Sequence, residues 1–240
     1  MLFQNEFIVR VIAASVLQLW PIIYLSFFAY KLLHRAKNRS TYILSGYFIT
    51  TALAYFLATL SIFLSNTSFA YIVYLVSIYF FVFSFSFLIN FSFLLTKLDE
   101  KSCNTKFFLR VALYAILSLY VIIIGFFFNG ITLNASTGWT PHFSWFFLGF
   151  SWLYFLIFLI IPQAYLSYRI LKLYEGVVLK KRLNLFTFSV FLGLSLAISL
   201  FLYHTWTENI IFRIFHLIIG LVFGISAAYL IYKGFGKELD

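Results

Sequence analysis

The sequence predicts an all-α membrane protein: residues 1–240 form a single bundle of seven transmembrane helices, with the N-terminus outside and the C-terminus in the cytosol. Three observations predict it. Seven apolar stretches, at about 8–33, 41–64, 69–96, 107–128, 144–171, 184–205 and 210–232, each hold the roughly 20 residues that cross a bilayer's hydrocarbon. Apolar residues make up 63% of the chain and charged residues 10%, a balance foreign to water-soluble domains. Of the 17 Lys and Arg residues, all but Arg10 and Arg213 fall at alternate connections. Lys31, Arg35, Lys37 and Arg39 follow the first stretch, and Lys97, Lys101, Lys106 and Arg110 surround the link from the third to the fourth. Arg169, Lys172, Lys180, Lys181 and Arg182 surround the link from the fifth to the sixth, and Lys233 and Lys237 follow the seventh. Positive charge is retained in the cytosol during insertion, which fixes the orientation.

The same asymmetry absorbs the net charge of +10. Basic segments at the inner face suit anionic lipid heads, so the expected partner is the lipid bilayer and not nucleic acid. The plasma membrane is the default location, since no targeting motif redirects the chain.

The elements follow in order. The first seven residues carry Glu6 and neither Lys nor Arg, so the first stretch lacks the charged start of a cleavable signal and is expected to span. Pro21 lies inside it, as Pro162 lies inside the fifth. Each proline removes a backbone hydrogen bond that a neighbouring helix must replace, which makes both positions candidate hinges. The third and fifth stretches exceed the minimum length and are expected to tilt or kink. Between the third and fourth, Cys103 is a lone thiol in an inside loop, kept reduced there. Asp99 and Glu100 sit beside Lys97 and Lys101 and read as a solvated face. The outside connection 129–143 is rich in Gly, Asn, Ser and Thr, with Pro141 near its end, and reads as an ordered or semi-ordered loop. In the seventh stretch Gly220 and Gly224 are four apart, followed by Ser226, Ala227 and Ala228. Small residues at that spacing let helix backbones approach, either within the bundle or across a dimer interface. The tail from Lys233 leaves no room for a kinase or nucleotide-binding module, so any signal is expected to pass to a separate protein.

Ionisable groups inside a membrane bundle cost free energy and are therefore functional candidates. In this chain most lie toward the outer face: Glu6, Arg10, His142, His204, Glu208, Arg213 and His216. Arg213 and His216, three apart, share a helix face. Two readings stand side by side. In one, Trp145 and Trp152 are walls, and Arg10, His204, Arg213 and His216 a cationic floor, of an outward-facing pocket for a small anion or amphipathic organic ligand. In the other, the tryptophans form an interfacial belt and the arginines snorkel; an Arg213 pair with Glu6 or Glu208 would be structural. His142, His204, His216 and Glu208 have no tight ligand spacing, so neither a metal nor a cofactor is expected. The midplane holds no paired carboxylates and no Cys/His or Ser/His/Asp set, so no enzymatic activity is expected.

Two resemblances add to this. Pro21-Ile22-Ile23-Tyr24-Leu25-Ser26, then Lys31-Leu32, is echoed by Pro162-Gln163-Ala164-Tyr165-Leu166-Ser167, then Lys172-Leu173. With Pro162-Gln163 and the seven-helix, N-out layout, this resembles the PQ-loop family, which includes small sugar transporters. The resemblance implies a three-plus-one-plus-three repeat around a central solute site. The first copy has Pro21-Ile22 in place of Pro-Gln, and Asn90 lacks a counterpart in the seventh helix, so the family's sugar-holding residues do not carry over. The whole chain is similar, in its order of features, to the seven-helix N-terminal sensor region of prokaryotic histidine kinases. Those features are a basic first loop, a long outside loop after helix four, an aromatic start to helix five (Trp139, Phe143, Trp145, Trp152) and Lys180-Lys181-Arg182 before helix six. That resemblance implies a ligand sensor, here without its kinase, contacting a cytosolic signalling partner through inside loops 31–39 and 172–182. The leading expectation is thus a receptor-like sensor of an unknown small ligand. A small-solute transporter is the first alternative, and a structural or assembly protein the second.

Overall fold

Apolar stretches of this length leave their backbone no partner but itself, and helices result. The computed structural model describes residues 2–35, 38–65, 67–96 and 104–236, excluding the side chains of 2–18, 68, 104, 235 and 236. Lys37, Asn66, residues 97–103 with Cys103, residues 237–240, and the side chains of Glu6 and Arg10 therefore lie outside the described residues. Seven helices fall on the seven apolar stretches: α1 (Leu2–Arg35), α2 (Arg39–Phe63), α3 (Ser68–Leu95), α4 (Asn104–Phe127), α5 (Trp145–Leu173), α6 (Val177–Thr205) and α7 (Ile210–Ile231). Among the described residues six of them, α2 to α7, are long and apolar enough to cross a membrane. The protein is all-α and multi-pass, and the bilayer is its environment.

Local chemistry sets the helix starts. The Asn38 side chain accepts from the Thr41 N–H at 2.8 Å, Ser144 from Phe147 at 3.1 Å and Asn209 from Phe212 at 2.9 Å. Each satisfies an N–H that the first helical turn leaves open. Two starts differ from the sequence expectation: α1 begins at Leu2 rather than near residue 8, and α6 begins at Val177, so Lys180, Lys181 and Arg182 are helical, and only 174–176 link α5 to α6. Hydropathy marks where a helix leaves the hydrocarbon, and Lys and Arg propagate a helix well beyond it.

The core centres on α3. In its most apolar window 61% is buried, against 17% for α4 and 22% for α7, so α3 is enclosed while α4 and α7 face lipid. Close approach of α2 to α3 needs Gly46, where a Cβ would fall 2.7 Å from the Phe87 ring. Ser77 on α3 donates across to the Ala54 carbonyl at 2.9 Å.

α5 is irregular where the sequence placed a hinge. A wide π-type segment, Phe155–Ile160, stands directly before Pro162. Proline has no N–H, so the Phe158 carbonyl four residues earlier loses its usual helical donor. The Tyr114 hydroxyl of α4 donates to that carbonyl at 3.1 Å. Tyr114→Phe, which leaves the Phe158 carbonyl without this donor, is expected to cost about 1–3 kcal/mol. The check is the melting temperature of the detergent-solubilised variant, and an unchanged value would show that the π segment satisfies itself.

Between α4 and α5 the expected loop is a folded hairpin. Strands β1 (Ile131–Thr132) and β2 (His142–Phe143) pair antiparallel, Ile131 opposite Phe143. Ile131, Leu133 and Phe143 are buried, which clamps the hairpin onto the end of the bundle.

Candidate functional site

The last turn of α6 and the first turns of α7 meet under this hairpin. The His204 ring lies 5.0 Å from Phe143 and 6.3 Å from Tyr74, with the Pro141 carbonyl as hydrogen-bond partner. One residue earlier, Tyr203 turns toward α7. Its ring centroid is 5.0 Å from that of His204 and 5.1 Å from that of His216. The Arg213 guanidinium stands 4.9 Å over the Tyr203 ring and donates to the Tyr203 hydroxyl at 3.3 Å and the Thr207 carbonyl at 3.5 Å. Its Nε is buried and has no hydrogen-bond partner among the described residues.

Three of the sequence-derived candidates, His204, Arg213 and His216, thus converge, and Tyr203 is the piece that joins them. The short α6–α7 link makes this possible: it puts the last turn of α6 against the first turns of α7, where the three-residue spacing aligns Arg213 with His216. The other candidates lie elsewhere. Trp145 is 63% exposed at the start of α5. Trp152 donates its indole N–H to the Ile198 carbonyl at 3.3 Å, tying α5 to α6. Trp206 stacks on Phe212 at 5.9 Å. These positions fit a membrane-interface belt better than pocket walls. The Arg10 side chain lies outside the described residues, and Glu208 is exposed.

Arg213 contacts a ring face, a hydroxyl and a carbonyl, and none of these is negatively charged. The ring face holds the guanidinium by cation–π attraction, Nη1 and Nη2 each give one donor to the protein, and the remaining in-plane N–H groups, Nε among them, have no protein partner among the described residues. Among the described residues no group of three His, Cys, Asp or Glu side chains is placed to hold a metal ion.

The small-residue face of α7 turns inward at Gly224, where a Cβ would lie 3.4 Å from the Tyr24 hydroxyl of α1; at Gly220 it would lie 3.8 Å from His216 Nε2. Tyr24 follows Pro21 by one turn, and α1 stays helical through Pro21.

A second polar group sits deeper. Gln163, fully buried, donates to Ser92 at 2.9 Å and to Ser167 at 3.3 Å. Arg110 Nε donates to the Asn90 side-chain Oδ1 at 3.2 Å, and Asn90 Nδ2 donates to the Ser86 backbone carbonyl at 2.9 Å. Beside Gln163 is an apolar slit too narrow for a water molecule, between Phe85, Leu88, Ile89, Leu159, Val190 and Leu194. The Pro162-Gln163 pair is visible in the sequence; the Ser92 partner on α3 is not.

No protein-family model, curated protein or solved structure matches the chain. Its own side chains carry the functional argument.

Proposed function

We propose that this protein is a receptor-like sensor of the cell membrane, spanning it seven times with the N-terminus outside and the C-terminus in the cytosol. Its ligand site is the outer cluster of Tyr203, His204, Arg213 and His216, and its ligand a small anion or an amphipathic molecule bearing one. The observation that carries this reading is the Arg213 guanidinium, held on Tyr203 with Nε unpartnered among the described residues. A cation kept in an apolar setting is costly unless an anion reaches it. Ligand binding would favour one arrangement of α6 and α7 over another. The π segment before Pro162 and the proline-containing α1 would transmit the change to segments 31–39 and 172–182, where a cytosolic partner docks. No catalytic step belongs to this reading.

Small-solute transport is the second reading. What favours it is Gln163, a buried polar side chain beside a slit and next to an irregular helical turn, since transporters build solute sites at interrupted helices. Cysteine accessibility separates the two. In a Cys103→Ala background, Ser84→Cys and Ser86→Cys report on the sealed centre, where both serines are buried, and Ser199→Cys reports on the outer half of α6. A sensor is expected to label with an impermeant thiol reagent at Ser199→Cys from outside only, leaving the two central positions unlabelled. Labelling of the central positions from both faces, in a ratio that solute changes, replaces the sensor with a transporter.

A further inference from the structure

At its inner end α6 carries a groove that the outer site does not use. It is shallow and open, about 540 Å³ in volume, and is lined by Val177, Lys180, Lys181, Asn184, Leu185 and Phe188. These six residues lie on one face of a single helix, so the groove opens sideways. Length places it at the membrane boundary. The 29 residues of α6 extend about 43 Å at 1.5 Å per residue, against a hydrocarbon thickness of about 30 Å. With its far end at the outer cluster, the first turns of α6 project into the headgroup layer. Lys180, Lys181 and Asn184 are then at phosphate depth, and Leu185 and Phe188 at the depth of the first acyl carbons. Phe188 is 60% exposed, and Lys180, Lys181 and Asn184 are exposed beside it. Among the described residues the neighbouring charges in sequence are Lys172, Arg182 and Lys233, with Glu175 on the preceding link the one of opposite sign.

We propose that this groove binds an anionic phospholipid of the adjoining leaflet. Its phosphate lies between Lys180 and Lys181 and accepts from the Asn184 amide, and one acyl chain runs along Leu185 and Phe188. Charge complementarity selects the headgroup, and the apolar floor selects a lipid over a free anion. A zwitterionic lipid presents the same chains without the net charge and is the natural control.

The test uses the full chain in detergent micelles, with native mass spectrometry counting retained phosphatidylglycerol and phosphatidylcholine. The wild type is expected to retain phosphatidylglycerol preferentially. Lys180→Gln with Lys181→Gln is expected to lower its affinity about tenfold, from two basic residues at the surface, and to leave phosphatidylcholine unaffected. Lys31→Gln with Lys106→Gln removes equal charge elsewhere and is expected to change it less than about twofold. Phe188→Ala is expected to weaken phosphatidylglycerol while inorganic phosphate fails to displace it. Equal losses from both lysine pairs, no loss from Lys180 and Lys181, or displacement by inorganic phosphate alone would each overturn the site. All four lysines are solvent-facing, so the variants keep the fold; their melting temperatures verify this.

Discussion

Phe143→Ala is expected to lower stability by about 3–5 kcal/mol, the range for emptying a buried aromatic site, and to release the α4–α5 hairpin. Phe143 is 1% exposed although it belongs to a connection between helices. Its ring meets Phe147 edge-on at 5.2 Å, Phe201 at 5.4 Å, Tyr74 at 6.4 Å and His204 at 5.0 Å. One side chain therefore joins the hairpin to α3, α5 and α6. The cavity cannot close by collapse. The Ser144 N–H is bonded to the Gly130 carbonyl at 2.9 Å, and a Cβ at Gly130 would already lie 2.9 Å from Phe147 Cβ and 3.1 Å from the Gly125 backbone. The strand is held at its closest approach, so the void stays. Melting temperature in detergent reads the first effect, and proteolysis within 129–143 from the outer face reads the second. Phe143→Leu, which fills most of the space, is expected to recover more than half of the loss. If Phe143→Ala melts with the wild type and its loop resists protease, the hairpin stands without this plug. Because His204 rests on Phe143, ligand response should fall with the hairpin, whereas Tyr114→Phe should cost stability alone.

The fold was legible because the bilayer imposes a simple rule. A helix needs roughly 20 apolar residues to cross, and α2 to α5 and α7 sit close to where that rule puts them. It fails at α6, whose first turns are Lys180, Lys181 and Arg182, because the rule measures hydrocarbon and not helix. The hairpin was not legible at all. Its strands have two residues each, too few for alternation to register, and its stability comes from what Phe143 and Ile131 meet below. The site was half legible. Arg213 and His216 show in the sequence as ionisable groups at helical spacing. Tyr203 is one of 17 tyrosines, and only the crossing of α6 and α7 distinguishes it. The tryptophans left two readings open, since belt and pocket wall have the same composition and only geometry places the Trp152 indole against the Ile198 carbonyl. The irregular turn in α5 was legible in part: Pro162 announces a broken hydrogen bond, but not that the helix widens before it or that Tyr114 repairs it.

Arg213→Ala is expected to separate function from stability. A charge-assisted hydrogen bond is worth about 1.5–3 kcal/mol, so losing the guanidinium should weaken an anionic ligand by about tenfold to a hundredfold, at 1.4 kcal/mol per decade. The fold should barely notice. The residue's two hydrogen bonds are long, at 3.3 and 3.5 Å, and removing a cation from an apolar setting relieves a desolvation cost, so stability should change by less than about 1 kcal/mol or rise. Arg213→Lys keeps the charge without the planar fork and should fall between the two for a carboxylate. His216→Ala should weaken binding less, because its ring contacts Tyr203 and Phe212 and acts by holding Tyr203 in place. The measurement is a thermal-shift titration of the full chain in nanodiscs with small carboxylates, phosphates and sulfonates, each against its neutral analogue. Stabilisation by one anion class in the wild type, absent in Arg213→Ala at unchanged baseline melting, identifies the site and the class together. The reverse pattern, a large drop in baseline melting with every anion shift retained, would make Arg213 a strut between α6 and α7 and end the case for an outer ligand site. The two outcomes move the same two numbers in opposite directions, because a binding group left idle in the empty protein costs stability and a structural one supplies it.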